Sequence, residues 1–264
     1  AREHNLPLEF GSAIPHEPSL AERFKDLALP RLPHNYFPAP ADDFVLNLAS
    51  SDPQIRQRSC AHCVQGLELA TDSGAPFYAA HAGFCIDPDP AQLGSQWDLS
   101  ISYDVNNSYQ TFCTAVRQLG DQAVQENVDF LVENNVVEPS NVDAEGETPL
   151  LCTRPGDIRP FFQDVDHPRV GLLLDTGHLK VTAHTFEFDL DEAVEGIKPY
   201  VQGIHHSDND GQSDTNSPID EDYWFLPHLS RFDHVPHVLE VKNQSTRSIL
   251  RQIDLLERHL ARDL

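Results

Sequence analysis

Positive charge is scarce in this sequence. Its 264 residues include 18 Lys and Arg against 42 Asp and Glu, and the formal net charge is −24. A surface with this excess of negative charge repels the phosphate backbone of nucleic acids. We therefore expect that neither DNA nor RNA is a partner of the protein.

Other absences argue against a membrane protein and a disulfide-rich protein. No apolar run approaches the roughly 20 residues that a membrane span requires, and no secretory signal is visible. The five cysteines have no regular spacing; Cys60 and Cys63 have the spacing of half a zinc site, but they fall in a helical pattern and are interpreted as buried helix thiols. These features predict a cytoplasmic protein without a membrane partner. Methionine is absent even at position 1, so we expect that part of the translated product precedes the given sequence.

Short apolar runs alternate with helical patterns, which indicates one α/β domain over residues 1–264. Such alternation is typical of βα units in a parallel sheet, and no linker or repeat divides the chain. In the clearest unit, Gly171–His178, three leucines precede Asp175, as in a buried parallel strand that ends in a polar site. Seven strands are predicted and a (β/α)8 TIM barrel has eight, so we expect the missing strand to be the first, upstream of the given residues.

The predicted elements cover most of the chain. The strands are Leu6–Phe10, Arg31–Phe37, Pro76–Ala80, Val128–Val132, the run that ends at Asp175, Val201–Ile204 and Val235–Val241. The helices are Leu20–Ala28, Asp52–Thr71, Tyr109–Gln125, Pro155–Asp164, Leu190–Pro199 and Ser245–Leu260. Two polar segments, Cys85–Asn107 and Val136–Cys152, are too long for plain connections and are interpreted as lids or substrate loops.

Six polar residues stand at or just after the ends of predicted strands. They are His34, His81, Glu133, Asp175, His205 and Glu240. Because the ends of parallel barrel strands converge on one face, these side chains would surround a single cavity. Each one alone has an ordinary explanation, such as a hydrogen-bonded histidine or a helix cap. Together, carboxylates and imidazoles predict a site for a divalent cation such as Mn²⁺, Mg²⁺, Co²⁺ or Zn²⁺.

Five motifs contain or adjoin these residues. They are His81-Ala-Gly-Phe84, Leu131-Val-Glu-Asn-Asn135, Leu172-Leu-Leu-Asp-Thr-Gly-His178, Ile204-His-His-Ser-Asp-Asn-Asp-Gly211 and Val238-Leu-Glu-Val241. In their order and placement the sequence resembles the xylose isomerase-like TIM-barrel superfamily, AP endonuclease family 2. This superfamily includes sugar isomerases, keto-sugar 3-epimerases and apurinic endonucleases of the endonuclease IV type. The resemblance covers nearly the whole chain from Leu6.

The resemblance implies a metal-dependent isomerase or epimerase of a sugar or sugar phosphate. It assigns one divalent metal ion to Glu133, Asp175, His205 and Glu240. His205 matches rather than His206, because it stands three residues before Asp208 and only one of two consecutive strand residues can face the cavity. Of the ligands, Glu133 and Glu240 would also transfer the proton beside a metal-polarised carbonyl. The substrate contacts that we infer are His178, His81, His34, Asn135 and Asp208.

Two other functions remain open at this stage. One is an endonuclease IV-like phosphodiesterase, and the other is a barrel that binds a sugar or a metal without turnover. The endonuclease relatives carry Asp-x-His where this chain has Asp214-Thr-Asn216, which argues for one metal ion rather than a zinc cluster. Phe84, Trp97 and Trp224 are candidates for stacking on a sugar ring, with core packing as the alternative. The scattered Lys180, Arg154 and Lys242 leave a substrate phosphate undecided, and a homo-oligomer is also left open.

Overall fold

In the computed structural model, which describes residues 2–11, 14–92 and 102–261, strands alternate with helices along the chain. The strands are β1 (Leu8–Phe10), β2 (Arg31–Pro33), β3 (Phe77–His81), β4 (Asp129–Glu133), β5 (Val170–Asp175), β6 (Val201–His206) and β7 (His237–Leu239). The helices are α1 (Leu20–Lys25), α2 (Pro53–Ser73), α3 (Val105–Glu126), α4 (Pro155–Val165), α5 (Thr176–Phe186), α6 (Leu190–Ile197) and α7 (Thr246–Leu260). Each predicted strand position holds a strand, although β1, β2 and β7 are shorter than predicted.

The strands pair in parallel and in chain order. β1 pairs with β2, the strands from β3 to β7 form one five-stranded sheet, and a bridge between His34 and Ala79 continues β2 onto β3. A parallel sheet wound in this order, with helices between its strands, is the architecture of a (β/α) barrel. In the described part of the chain, no strand pairing joins β7 back to β1.

Both faces of the sheet are apolar, because side chains at alternate strand positions are covered on the inside and on the outside. The inward positions form a small cluster, against which Val238 packs; its members are Leu32, Phe77, Ala79, Leu131 and Leu173. Outward residues such as Tyr78 and Phe130 belong to the larger core that includes the helices. The interior cluster precedes the polar strand ends by two residues, so it forms the apolar floor of the predicted site.

Helix ends follow local signals in the sequence. Oδ1 of Asp52 accepts a hydrogen bond from the N–H of Gln54 at the start of α2. The helix is capped at its other end by Gly74, whose φ of 68° lies in the left-handed region that favours glycine. The sequence does not predict α5, because several of its residues have weak helix propensity. This helix begins directly after β5. Oδ1 of Asp175 caps it by accepting a hydrogen bond of 2.7 Å from the N–H of His178.

The two segments predicted as lids lie at the same end of the sheet as the polar strand ends. Backbone hydrogen bonds of 2.7 and 3.1 Å join residues 83–85 to residues 149–151, so the loop after β3 is clipped to the loop after β4. In the first segment, residues 93–101, which include Trp97, lie outside the described residues. The segment is also shorter than predicted, because α3 begins at Val105.

The helices carry the cysteine pair that has a zinc-like spacing. Cys60 and Cys63 lie on α2 as free thiols; Cys63 is fully buried as predicted, whereas Cys60 is only partly buried. Within the described ranges, neither belongs to a group of side chains that could hold a metal ion. The same ranges contain no helix that combines the length and the apolar character needed to cross a membrane.

A substitution in α2 tests the packing of this helix on the sheet. A Cβ atom at Gly66 would lie 2.3 Å from the ring of Tyr78, so we expect Gly66→Ala to destabilise the protein by about 1–3 kcal/mol. Gly156→Ala in α4 is the matched control, because a Cβ there meets no atom of the described residues within 4 Å. Chemical denaturation measures both variants. Equal stability of Gly66→Ala and the wild type would contradict the packing.

Candidate metal centre

The six polar side chains predicted at strand ends stand at one edge of the sheet. Each follows an inward position of its strand by two residues, so the alternation of strand residues directs it to the same side. The pairs are Leu32 and His34, Ala79 and His81, Leu131 and Glu133, Leu173 and Asp175, Gly203 and His205, and Val238 and Glu240. The register adds to this alignment, because His81 is opposite Glu133 and Asp175 is opposite His205 on neighbouring strands.

Four of the six form a compact group in which each residue has a potential ligand atom within 4.8 Å of the others. The members are Glu133, Asp175, His205 and Glu240. Nδ1 of His205 lies 2.8 Å from Oε2 of Glu240, 3.5 Å from Oε1 of Glu133 and 3.9 Å from Oδ2 of Asp175. Three members are buried, whereas 40% of the Glu240 side chain is exposed. The group is therefore open to solvent on the Glu240 side.

The atoms that point into this group lack other partners. Oε1 of Glu133, Oδ2 of Asp175 and Nδ1 of His205 are buried, and none of them forms a hydrogen bond of good geometry with the described residues. Polar atoms buried in this way cost free energy unless another group satisfies them. Three carboxylates and an imidazole are suitable ligands for Mn²⁺, Mg²⁺, Co²⁺ or Zn²⁺. The residues present therefore fit a divalent cation.

Three further histidines surround Glu133. Nε2 of His34 lies 2.8 Å from Oε2 of Glu133, and Nε2 of His81 lies 3.6 Å from the same oxygen. Nδ1 of His178 donates a 2.8 Å hydrogen bond to the backbone carbonyl of Asn134, and its ring stacks on that of His81 at 5.6 Å. His81, Glu133 and His178 form a second group with potential ligand atoms within 4.8 Å of one another. The predicted substrate contacts His34, His81 and His178 therefore stand beside the four-residue group.

The other two predicted substrate contacts have partners within the protein. The amide nitrogen of Asn135 donates to three backbone carbonyl oxygens of the loops after β3 and β4, at 3.0–3.2 Å. Oδ1 of Asp208 accepts a 2.6 Å hydrogen bond from Nζ of Lys180. A substrate contact by the Asn135 N–H groups would require one of these bonds to break. Lys180, a candidate for a phosphate contact, is already paired with a carboxylate.

The aromatic candidates outside the group are placed differently. Trp224 packs edge-to-face on Phe225 with ring centroids 5.2 Å apart, which agrees with the alternative of core packing. The N–H of Phe84 donates to Oδ1 of Asn47, so the loop that follows β3 is tied to the segment before α2. These contacts join Trp224 to the core and Phe84 to Asn47.

Burial and charge act against each other in the group. Burial, together with neighbouring carboxylates, raises the pKa of Asp175 to about 7, although the imidazole of His178 opposes the shift. Burial alone would also raise the pKa of Glu240, but the imidazole of His205 lowers it to about 2. Burial lowers the pKa of His205. The carboxylates of Glu9 and Glu240 raise it by more, so the pKa of His205 lies well above its usual value. The result is a dense network of opposite charges.

Two residues of this network are not predicted from the sequence. Oε2 of Glu9 lies 3.1 Å from Nε2 of His205, and Oδ2 of Asp214 lies 3.5 Å from Nε2 of His178. The one available signal for Glu9 is a charged residue in the middle of a three-residue strand. Asp214 stands in an irregular loop, and the one available signal for it is its place in Asp214-Thr-Asn216, where the endonuclease relatives carry Asp-x-His. Both positions depend on tertiary packing rather than on local sequence.

Comparison with known families agrees with this architecture. The chain matches the family described as xylose isomerase-like TIM barrel over residues 6–259, and it belongs to that family. The resemblance inferred from the motifs and the predicted α/β barrel are therefore confirmed. No curated protein matches the chain in sequence.

Solved structures with this fold include sugar epimerases. A D-tagatose 3-epimerase-like protein has a TM-score of 0.71 and 17% identity, over 96% of this chain and 88% of that one. A Thermus thermophilus protein soaked with ZnCl₂ has a TM-score of 0.64 and 17% identity, over 96% and 88%. D-Psicose 3-epimerase with D-tagatose from Clostridium cellulolyticum has a TM-score of 0.61 and 16% identity, over 96% and 85%. At such identities the likeness establishes the fold.

Binding of a divalent cation by the metal-free protein should release protons and weaken as the pH falls. Asp175, with a pKa of about 7, and His205, with a raised pKa, both hold protons on the acid side that a metal ion must displace. The affinity should therefore rise with pH through neutrality, by about tenfold per pH unit for each proton released. Calorimetry of Mn²⁺ binding in two buffers of different ionisation enthalpy measures both effects. An affinity that is independent of pH would contradict the expectation.

Proposed function

We propose that the protein is a divalent-metal-dependent isomerase or epimerase that acts on a sugar or sugar derivative. The observation that carries this proposal is the convergence of unpartnered buried atoms of Glu133, Asp175 and His205 on the exposed carboxylate of Glu240. The fold neighbours named D-tagatose 3-epimerase-like and D-psicose 3-epimerase support a small carbohydrate as the substrate class. The free thiols are compatible with the cytoplasmic location that we expect.

The proposed cofactor is one ion of Mn²⁺, Mg²⁺, Co²⁺ or Zn²⁺, held by the four-residue group. When bound, such an ion polarises a carbonyl group and makes the adjacent C–H bond more acidic. Glu133 and Glu240 are the proposed groups for proton transfer. They stand on strand ends remote in sequence, so one carboxylate can remove a proton and the other can return it to the opposite face of the carbon. An isomerase would instead return the proton to the neighbouring carbon.

The two glutamates differ in what surrounds them. Glu133 is buried, and its Oε2 is fixed at 2.8 Å from Nε2 of His34. Glu240 is partly exposed and can exchange a proton with water. Burial raises the pKa of each, yet nearby imidazoles hold both pKa values below the usual range, so both carboxylates are ionised and able to accept a proton. His81 is 32% exposed, and its ring stacks on that of the buried His178; we propose that both contact substrate hydroxyl groups.

A phosphodiesterase of the endonuclease IV type is the second candidate. The observation in its favour is the group of His81, Glu133 and His178, beside which Asp214 lies, because these residues could hold a further ion. The net charge of −24 and the buried Asn216, at the position of a histidine in the endonuclease relatives, argue against it. The number of bound ions separates the two candidates.

Metal content is the first measurement. Elemental analysis of protein purified without chelator should find about one divalent ion per chain, and Glu240→Gln should reduce it strongly because a ligand charge is lost. Glu257→Gln, at an exposed position of α7, should leave it unchanged. Two or three zinc ions per chain would favour the phosphodiesterase. No metal under any loading condition would contradict the proposal.

Exchange of a carbon-bound proton tests the proposed chemistry. With saturating Mn²⁺ in D₂O, the wild type should introduce deuterium beside the carbonyl of a keto-sugar. Glu133→Gln and Glu240→Gln should each slow the exchange by at least about 100-fold, because each removes a proton-transfer group. Glu257→Gln on α7 should keep the wild-type rate. Metal-loaded wild type that exchanges no keto-sugar in a broad screen would instead favour a barrel that binds without turnover.

A further inference from the structure

We infer that Glu9 is a positioning residue that orients His205 toward the metal site by accepting a hydrogen bond from its Nε2–H. This inference rests on the metal site proposed above and adds a residue from β1, which is outside the four-residue group. Oε2 of Glu9 lies 3.1 Å from Nε2 of His205. The opposite nitrogen of the same ring, Nδ1, faces the carboxylate of Glu240 at 2.8 Å.

The two nitrogens of a neutral imidazole have different functions, since one carries the proton and the other has a free lone pair. A carboxylate at Nε2 favours the proton on that nitrogen, and the lone pair of Nδ1 is then available to a cation. Histidines that bind metals commonly donate their other ring N–H to a carboxylate, which fixes both the tautomer and the ring orientation. The contact between Glu9 and His205 has this arrangement.

The carboxylate of Glu9 also reaches a second imidazole. Its Oε1 lies 3.7 Å from Nδ1 of His34, whose Nε2 is 2.8 Å from Oε2 of Glu133. The rings of His34 and His205 meet edge-to-face with centroids 4.9 Å apart. Glu9 therefore lies between two imidazoles whose far nitrogens both face the site. Only 12% of its side chain is exposed, so its hydrogen bond with His205 is little weakened by water.

A different interpretation would make Glu9 itself a ligand. Glu9, His34 and His205 also have potential ligand atoms within 4.8 Å of one another. An ion held there would take the lone pair of Nε2 of His205, and the ring would then offer no second lone pair at Nδ1 unless it lost both protons. Since Nδ1 is the nitrogen that faces three carboxylates, acceptance of the Nε2 proton is the function of Glu9 that agrees with the geometry.

Two variants of Glu9 distinguish the effect of its side-chain length from the effect of its charge. Glu9→Gln keeps the length of the side chain and removes the charge, whereas Glu9→Asp keeps the charge and withdraws the carboxylate by one methylene group. If Glu9 positions His205, both variants should weaken Zn²⁺ binding by about 10–100-fold, measured by competition with a chromophoric chelator. Glu22→Gln, which removes an exposed charge on α1, is the control and should bind Zn²⁺ like the wild type.

A spectroscopic measurement reports on the hydrogen bond itself. In the zinc-loaded protein, the Nε2–H proton of His205 should give a slowly exchanging, downfield NMR signal, because a buried carboxylate accepts it. The signal should move upfield or broaden in Glu9→Gln and in Glu9→Asp, and it should remain in Glu22→Gln. A role in packing alone would leave this signal in place in Glu9→Gln, which preserves the side-chain volume.

The possible outcomes decide between distinct conclusions. Wild-type affinity in both Glu9 variants would overturn the inference and leave the proposed metal site intact. Weaker binding in Glu9→Gln alone, with the signal unchanged, would show an effect of charge and would also overturn it. If the wild type binds no Zn²⁺, both the metal site and the inference fail. Should Glu9→Gln not fold, Glu9→Asp decides, because weaker binding with a shifted signal supports positioning and wild-type behaviour refutes it.

Discussion

Two carboxylates, Glu133 and Asp175, lie close together in the protein interior, with only 1% and 0% of their surfaces exposed. Burying a charge is costly unless a partner of opposite charge or a hydrogen-bond donor compensates it. Within the protein this compensation comes from imidazoles, of which His34 and His205 are the nearest to Glu133. A divalent cation would compensate both carboxylates at once, and it is the largest local charge that such a site can hold.

The sheet makes this burial possible by placing the charges above an apolar floor. Inward residues such as Leu131 and Leu173 fill the barrel two positions before Glu133 and Asp175. At Gly203 a Cβ would lie only 3.1 Å from the side chains of both leucines, so glycine permits the close approach of β6. Because the alternation along each strand has a period of two, the same pattern that packs the floor also directs the polar side chains into the site.

The alternation along the strands explains which parts of the fold and of the site could be predicted from the sequence. Strand positions and strand-end residues such as His205 follow from local alternation and from the rule that parallel strand ends converge. The helix α5 does not, because Thr176, Gly177 and Thr182 favour it weakly and it depends on the cap by Asp175 and on packing. The contact of Glu9 cannot be predicted from local sequence either, since its partner His205 is 196 residues away in the chain.

The site is open to solvent on one side only, as far as the described residues show. Glu240 and His81 have 40% and 32% of their side chains exposed, whereas Glu133 and Asp175 are closed off behind them. A substrate would therefore approach from the side of Glu240 and His81. A proton taken by Glu240 could exchange with water, whereas a proton taken by Glu133 would remain next to His34 within the buried network. The two carboxylates thus differ in their surroundings, because Glu240 reaches solvent and Glu133 does not.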